Sequence, residues 1–286
     1  FCKTTDALVD VQNGIPFFSV LFSRKPKIAV VYHIHGRQFF IELPFPYNII
    51  GYSIERFVFP FLYRGIPIQV ISQTTKHDVI KRGIPPGNIR IVYCGIEQPN
   101  AKNRFDKKFS DPTILYLGRI KKYKRVEMLV KIMPQIIAKV PNARLFIAGW
   151  GTEASSVTDA SMRSLLRRRI KIIGPVTTAE KRRLLQKSWV FVNPSISEGW
   201  GISVIEANVY GTPAVAFNVP GLSESIQDGK TGLLAADEKQ LTDHIVSLLT
   251  NATLRHTMAK QASSWSRRFS WDRAAKESLD FLIYSR

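Results

Sequence analysis

Residues 194–213 read PSISEGWGISVIEANVYGTP and hold two glutamates, Glu198 and Glu206, separated by seven residues. Gly199 and Gly201 stand beside the first glutamate, and a helix is expected to start at their end. The preceding run WVFVN, residues 189–193, reads as a strand. Residues 194–201 are then a loop at a strand's carboxyl end, where open parallel sheets bind their ligands. The helix points its free N–H groups and positive dipole end into that crevice, which suits a phosphate, and the small glycines let a ligand approach the backbone closely. Carboxylates repel phosphate but accept charge-assisted hydrogen bonds from vicinal diols. Amides for phosphates and acids for sugars on either side describe a nucleotide sugar, with one glutamate on the donor sugar and the other on the ribose.

Cations for the diphosphate are expected elsewhere. The run LGRIKKYKR follows the strand-like residues 113–118, so Arg119 and Lys124 lie in a loop at a second strand end and could both reach a diphosphate. Their neighbours Lys121 and Lys122 read as solvent-exposed. No carboxylate pair suits a divalent ion, so no metal and no cofactor beyond the donor is expected.

These residues need a frame, and the sequence alternates short apolar runs with amphipathic stretches. Residues 6–12, 27–34, 68–72, 89–93, 113–118, 143–149, 170–173, 189–193 and 213–217 read as strands, most of them near-continuously apolar as in parallel sheets buried on both faces. Between them, residues 125–140 carry Val126, Leu129, Val130, Met133, Ile136, Ile137 and Val140 at helical spacing, with Pro134 expected to kink the helix. Thr177 and Glu180 match a capping box. A helix over 202–210 is expected to stop at Gly211. The alternation predicts an α/β chain with parallel sheets.

The polar, proline-flanked stretch EQPNAKNRFDKKFSDP predicts an interdomain linker at 98–112. That leaves a partial domain at 1–97, a full doubly wound domain at 113–270 and a final helix, 271–286, returning to the first domain. The chain opens on Phe1 and enters a strand-like run almost at once, which reads as a piece of a longer protein.

Bulk properties bound the partners. The net charge of +19 attracts anions, whether phosphorylated small molecules, acidic lipid or nucleic acid. Residues 36–64 interleave nine Phe and Tyr residues with arginines, a pattern that fits either a bilayer interface or a core-crossing helix. No nucleic-acid module accompanies it, so no nucleic-acid partner is expected. Cys2 and Cys94 form no disulfide framework and suit a reducing compartment. No run of about 18 uncharged apolar residues and no signal peptide is visible.

Five segments, GRIKKYK, FIAGWG, PSISEGWGISVIEA, GTPAVAF and PGLSESIQDGKTGLL, resemble the retaining glycosyltransferases of the GT-B fold, family 4, over residues 7–275. The resemblance implies two Rossmann-like domains facing across a cleft, with the donor held by the C-terminal one and the acceptor mainly by the N-terminal one. It assigns Arg119 and Lys124 to the diphosphate, Glu198 to the donor sugar and Glu206 to the ribose. Gly201, Ile202, Ser203 and Val204 match the helix-start amides, and Pro175 and Val176 fall where the base packs. Glu224 matches a glutamate without a clear role. A family histidine near the reacting sugar corresponds to His33 or His35, with His33 favoured. Transfer is implied to retain anomeric configuration, without a metal and without a covalent glycosyl–enzyme. The family's N-terminal strand and glycine-rich loop have no counterpart in this chain, so donor binding is expected to outlast turnover.

The resulting expectation is a hexosyltransferase moving sugar from a UDP- or GDP-sugar to a glycan or lipid-linked acceptor in envelope polysaccharide or glycolipid synthesis. It would act in the cytoplasm at the inner face of the membrane, where each cation near anionic lipid contributes about 1 kcal/mol. The alternatives are a GT-B nucleotide-sugar epimerase and a non-enzymatic basic module binding nucleic acid or membrane.

Overall fold

The computed structural model describes residues 5–12, 14–99, 108–164 and 166–284. Cys2, the first four residues and most of the expected linker lie outside the described residues. The chain groups into two compact units: residues up to Gly95 together with those from Phe269 onward, and Ile96–Arg268.

The first unit is built on four parallel strands, β1 Leu8–Gln12, β2 Lys27–Val31, β3 Ile68–Val70 and β4 Ile89–Ile91, in that spatial order. All five residues of β2 are buried, as its unbroken apolar run requires of a strand covered on both faces. The helical segments of residues 36–63 join β2 to β3, and the helix Gln73–Ile80 joins β3 to β4. The helix Trp271–Tyr284 belongs to this unit and packs Phe281 against Ile28 and Val30. Asp10 is the buried polar centre of β1. It accepts from the Ser19 amide and hydroxyl at 3.2 and 2.5 Å and from the Tyr63 hydroxyl. Burial and the Asp10 charge push the Tyr63 phenol up, so it stays a neutral donor.

The second unit holds six parallel strands, β5 Thr113–Leu117, β6 Arg144–Ala148, β7 Ile170–Gly174, β8 Val190–Asn193, β9 Ala214–Phe217 and β10 Gly232–Ala235. Their spatial order is β10-β9-β8-β5-β6-β7. The chain lays down β5, β6 and β7 in one direction, then returns to the other side of β5 to add β8, β9 and β10. The reversal between β5 and β8 is a topological switch point, where the loops at the strand ends diverge and leave a crevice. The nine strands read from sequence are all present, eight of them trimmed at their ends and β7 one residue longer. β10 is the addition: its four residues, GLLA, lack β-branched side chains and follow a turn-forming DGKT.

The helix Val126–Lys139 buries Val126, Leu129, Met133 and Ile136 against this sheet. Each such side chain contributes roughly 1.5–3 kcal/mol when taken out of water. The helix runs through Pro134 as one element. The helix Thr178–Lys187 receives only half of the expected capping box. The Thr177 hydroxyl accepts from the Glu180 amide at 3.2 Å, but the Glu180 carboxylate turns to Arg183 at 2.9 Å.

Candidate functional site

The switch point brings two loops together. One follows β5 and carries Arg119 and Lys124; the other follows β8 and carries Glu198 and Gly199. The Ile196 amide donates to the Tyr123 carbonyl at 3.0 Å and ties the loops directly. A second tie is ionic: the Lys124 ammonium donates to Glu198 Oε1, each side chain 13% exposed.

Glu198 is held from below as well. The Asn193 amide donates to Oε1 at 3.1 Å, and the Ser195 hydroxyl lies 2.8 Å from the same oxygen and 2.6 Å from Asn193 Oδ1. Burial alone would raise this carboxyl. The Lys124 charge and the hydrogen bonds from Lys124, Asn193 and Ser195 outweigh it and hold Glu198 below the usual carboxylate range. Glu198 is therefore an anion at neutral pH. Among the described residues, its hydrogen bonds all fall on Oε1.

Two glycines make this loop possible. Gly201 is the residue before the helix Ile202–Val209 and has φ 82°, a left-handed conformation that favours glycine. No side chain caps the helix, so Ile202, Ser203 and Val204 open it with backbone amides alone, and the Val204 amide returns to the Gly201 carbonyl at 2.9 Å. Gly221, in the loop after β9, has φ 83°, and a Cβ there would sit 2.2 Å from the Glu198 carbonyl oxygen. The backbone of Glu198 and Gly199 thus rests directly on a residue that can carry no side chain. Glu224 lies just beyond, in the short helix Leu222–Ser225.

Glu206 stands on the same helix as these opening amides, in its second turn. Lys181, from the helix after β7, donates to its Oε1 at 2.5 Å. Pro175 and Val176 lie between β7 and that helix, the former exposed and the latter half-buried. The loop after β6 is their neighbour, since the Gly149 amide donates to the Gly174 carbonyl at 2.8 Å. That loop presents Trp150 with its side chain 67% exposed while its carbonyl accepts from Ile120, the residue after Arg119, at 2.9 Å. Arg119 itself is exposed, with Nη2 3.4 Å from the Tyr123 hydroxyl. The Tyr116 hydroxyl donates to the Arg119 carbonyl at 2.6 Å and fixes that loop from inside the core. Burial and the nearby Glu198 charge raise the Tyr116 phenol, which keeps it a donor.

The predicted site residues thus follow three strands of this unit: Arg119 and Lys124 come after β5, Pro175 and Val176 after β7, and Glu198, Gly199, Glu206 and the amides from Gly201 to Val204 after β8. Sequence reasoning passed over Lys181, Asn193, Ser195 and Trp150. Asn193 and Ser195 flank Pro194 at the end of a called strand and could have been singled out as polar residues in a strand-end loop. Lys181 is one cation in a basic helix, and nothing in the sequence marks it.

His33 and His35 belong to the first unit, in the loop after β2. His33 Nε2 is 2.9 Å from Gln38 Oε1, and the two imidazoles are 5.1 Å apart edge to face. His35 is held by Glu55, which is 1% exposed and accepts from the His35 and Gly36 amides at 2.7 Å each and from Arg82 at 2.9 Å. His35 Nδ1 lies 3.5 Å from the same carboxylate. Burial would raise Glu55, but His35, the two amides and Arg82 together bring it below the ordinary range. Among the described residues, no group of three His, Cys, Asp or Glu side chains is placed to hold a metal ion.

The family model for glycosyl transferases group 1 matches residues 97–265, more than half of the chain. The chain belongs to that family. As a group 1 glycosyl transferase it is 26% identical over 234 residues to an uncharacterised glycosyltransferase of Methanocaldococcus jannaschii, covering 76% of this chain and 60% of that protein. It is 29% identical over 203 residues to a D-inositol 3-phosphate glycosyltransferase of Arthrobacter sp., covering 68% of this chain and 48% of the relative. The chain thus spans about half to three fifths of the length of these curated relatives. Among solved structures it resembles Anabaena HepE in complex with UDP-glucose, with TM-score 0.78, 16% identity, and coverage of 93% of this chain and 74% of HepE. That likeness shows the fold: the two parallel α/β sheets are those of GT-B glycosyltransferases.

Proposed function

We propose that this group 1 member is a retaining glycosyltransferase of family 4 that moves a hexose from a UDP- or GDP-sugar to a glycan or lipid-linked acceptor. The observation that carries the reading is the grouping at the switch point. A helix start without a side-chain cap, a lysine–glutamate pair and a second glutamate one helix turn further on all lie in the loop and helix that follow β8, beside the loop after β5. In this reading the amides from Gly201 to Val204 and the Arg119 and Lys124 cations hold the diphosphate. Glu198 holds the donor sugar and Glu206 the ribose hydroxyls. Pro175, Val176 and Trp150 offer apolar surface to the base. The names of the relatives support the reading: one is a D-inositol 3-phosphate glycosyltransferase, and HepE was solved with UDP-glucose.

The chemistry asked of these residues is positioning and charge stabilisation. The bond between the sugar C1 and the diphosphate oxygen breaks, and a bond from C1 to the acceptor oxygen forms on the same face. The acceptor proton passes to the departing phosphate. Lys124 then has two anions to serve, Glu198 in the resting state and the diphosphate as its charge grows. Histidine at 33 or 35 is assigned to the donor sugar. Because His35 is fixed by Glu55 and His33 by Gln38, both rings have a defined orientation within their unit. The acceptor we assign belongs to envelope polysaccharide or glycolipid synthesis at the cytoplasmic face of a membrane.

Incubation with a panel of UDP- and GDP-hexoses and a lipid-linked acceptor, followed by mass spectrometry and NMR of the products, tests the proposal. Free nucleoside diphosphate with an axial or equatorial glycoside matching the donor anomer is expected. Inverted product, or an epimerised sugar nucleotide with no diphosphate released, would overturn it.

A further inference from the structure

A cavity lies at the other edge of the second unit's sheet. Lys108 stands before β5 and Gly211 before β9, and in a parallel sheet both positions are at the amino ends of the strands. The donor loops follow the carboxyl ends. Together with the helix Ala252–Ser266, Lys108 and Gly211 line a cavity of about 520 Å³. The helix contributes Thr253, Arg255, His256 and Thr257 to its wall. Among the described residues, no Asp or Glu lines it.

The two strongest cations of this wall, Lys108 and Arg255, are half-buried, and Arg255 is near enough to repel the Lys108 charge. Among the described residues, neither is paired with a carboxylate. More exposed cations of the same unit are paired: Lys139 with Asp243, Arg144 with Asp111 and Arg182 with Glu97. Part of the role of Lys108 and Arg255 is local. Lys108 donates to the Gln186 carbonyl at 2.9 Å and the Thr212 hydroxyl at 2.8 Å. Arg255 Nη1 donates to the Leu248 and Leu249 carbonyls at 2.6 and 3.3 Å. The three carbonyls belong to the last turns of the helices Thr178–Lys187 and Glu238–Thr250, where cations are favourable. Capping leaves donors over. An ammonium has three N–H bonds and Lys108 spends two of them, while Arg255 spends one nitrogen of its three. Capping also gives no reason to bring two cations to one wall without an acid. The Arg255 guanidinium lies over the Trp189 ring at 4.1 Å, which fixes its plane. Burial, and then the Arg255 charge, push the Lys108 ammonium down to about 7. An anion in the cavity would offset both effects and keep the proton in place.

An ammonium, a guanidinium, an imidazole and two hydroxyls on one wall form a donor set that phosphate oxygens accept. The volume is more than a bare phosphate fills and falls in the range of small-molecule pockets. We propose that this cavity is a binding site for a phosphorylated small molecule of sugar-phosphate size, separate from the donor crevice. It shares no residue with the donor site. Gly211 follows the helix that opens at Gly201, so the two sites lie at opposite ends of one helix.

Calorimetric titration of the chain with glucose 6-phosphate and with inorganic phosphate, each with and without UDP, tests the proposal, with glucose as the uncharged control. Glucose 6-phosphate is expected to bind whether or not UDP is present, and glucose is expected not to bind. Lys108→Met and, separately, Thr257→Glu should each weaken glucose 6-phosphate roughly tenfold or more. Thr257 is exposed, so Thr257→Glu should keep the native unfolding temperature while it places a negative charge in the cavity. UDP affinity should be unchanged in both variants. The proposal is overturned if the native chain binds neither anion, if UDP displaces glucose 6-phosphate, or if glucose binds equally well. It is equally overturned if inorganic phosphate binds and glucose 6-phosphate does not, or if folded Thr257→Glu binds like the native chain. Failure of UDP to bind would count against the donor site alone.

Discussion

The acids of the two units are held in different ways. In the first unit Glu55 is fully buried and bound by two backbone amides and Arg82, and Asp10 is bound by two amides and two hydroxyls. In the second unit Glu198 and Glu206 are partly exposed, and each is paired through Oε1 with a lysine side chain, Lys124 or Lys181. Backbone amides cannot move away without unfolding, so the first arrangement is structural and fixes loops. Lysine side chains can swing to another anion without the backbone unfolding. For Lys181–Glu206, 34% and 21% exposed, the cost is small, because ion pairs near the surface contribute about 0–1 kcal/mol. Lys124–Glu198, 13% exposed on each side, is exchanged only when a ligand's charge replaces the partner. The second arrangement orients the carboxylates while leaving them able to exchange partners with a ligand.

The sharpest way to break that comparison is Glu55→Ala. It leaves Arg82 and two amides without their partner inside the core, and removing one member of a buried pair costs about 3–5 kcal/mol. Urea denaturation should show a loss of that order. A change under about 1 kcal/mol would make Glu55 no more structural than the lysine-paired acids.

Gly221→Ala should come next. It forces a side chain into a left-handed φ and against the Glu198 carbonyl, with strain of roughly 1–3 kcal/mol. The expected outcome is a moderate fall in unfolding temperature together with a nearly complete loss of transfer, because the Glu198–Gly199 backbone must shift. Normal transfer would show that this backbone does not need its present position.

The smallest effect concerns Lys108, which donates to the Gln186 carbonyl at 2.9 Å and the Thr212 hydroxyl at 2.8 Å and, among the described residues, is paired with no carboxylate. Burial, and then repulsion by Arg255, push its ammonium down to about 7 from the usual 10.5. Between those values the unfolded chain binds the proton that the folded chain has lost, so stability should rise as pH increases from about 7 to about 10. Below pH 7 both states carry the charge, and the burial cost is present in full. Lys108→Met should therefore flatten the dependence of the unfolding temperature on pH. An unchanged slope would show that Lys108 keeps its charge at neutral pH through the two bonds it donates.

Much of the frame was legible because its physical signals are local. Short runs, most of them near-continuously apolar, marked nine of the ten strands found among the described residues, and the acids and glycines after β8 announced a strand-end loop and a helix start. What stayed hidden depends on distance. Which helix faces Glu206, and hence the Lys181 pair, follows from the rotation of two elements that meet only in the folded unit. The capping box failed at Glu180 because Arg183, three residues on, offered a charged partner where the Thr177 amide offered a neutral one. The aromatic stretch of 36–64 showed its composition in sequence but not its division into a buried stripe and an exposed one. The β10 strand was missed because four residues without branching carry almost no pattern.

The central claim is that the β5–β8 crevice holds a nucleotide sugar, with Glu206 on the ribose. Calorimetric titration of the chain with UDP, GDP and ADP, repeated on Glu206→Ala, tests it most directly. Losing a charged hydrogen-bond partner costs roughly 1.5–3 kcal/mol, more than tenfold in affinity. The account predicts that UDP or GDP binds and that Glu206→Ala weakens it by that margin with the fold intact. Binding that is unchanged in the variant, or no binding of any of the three, would contradict it.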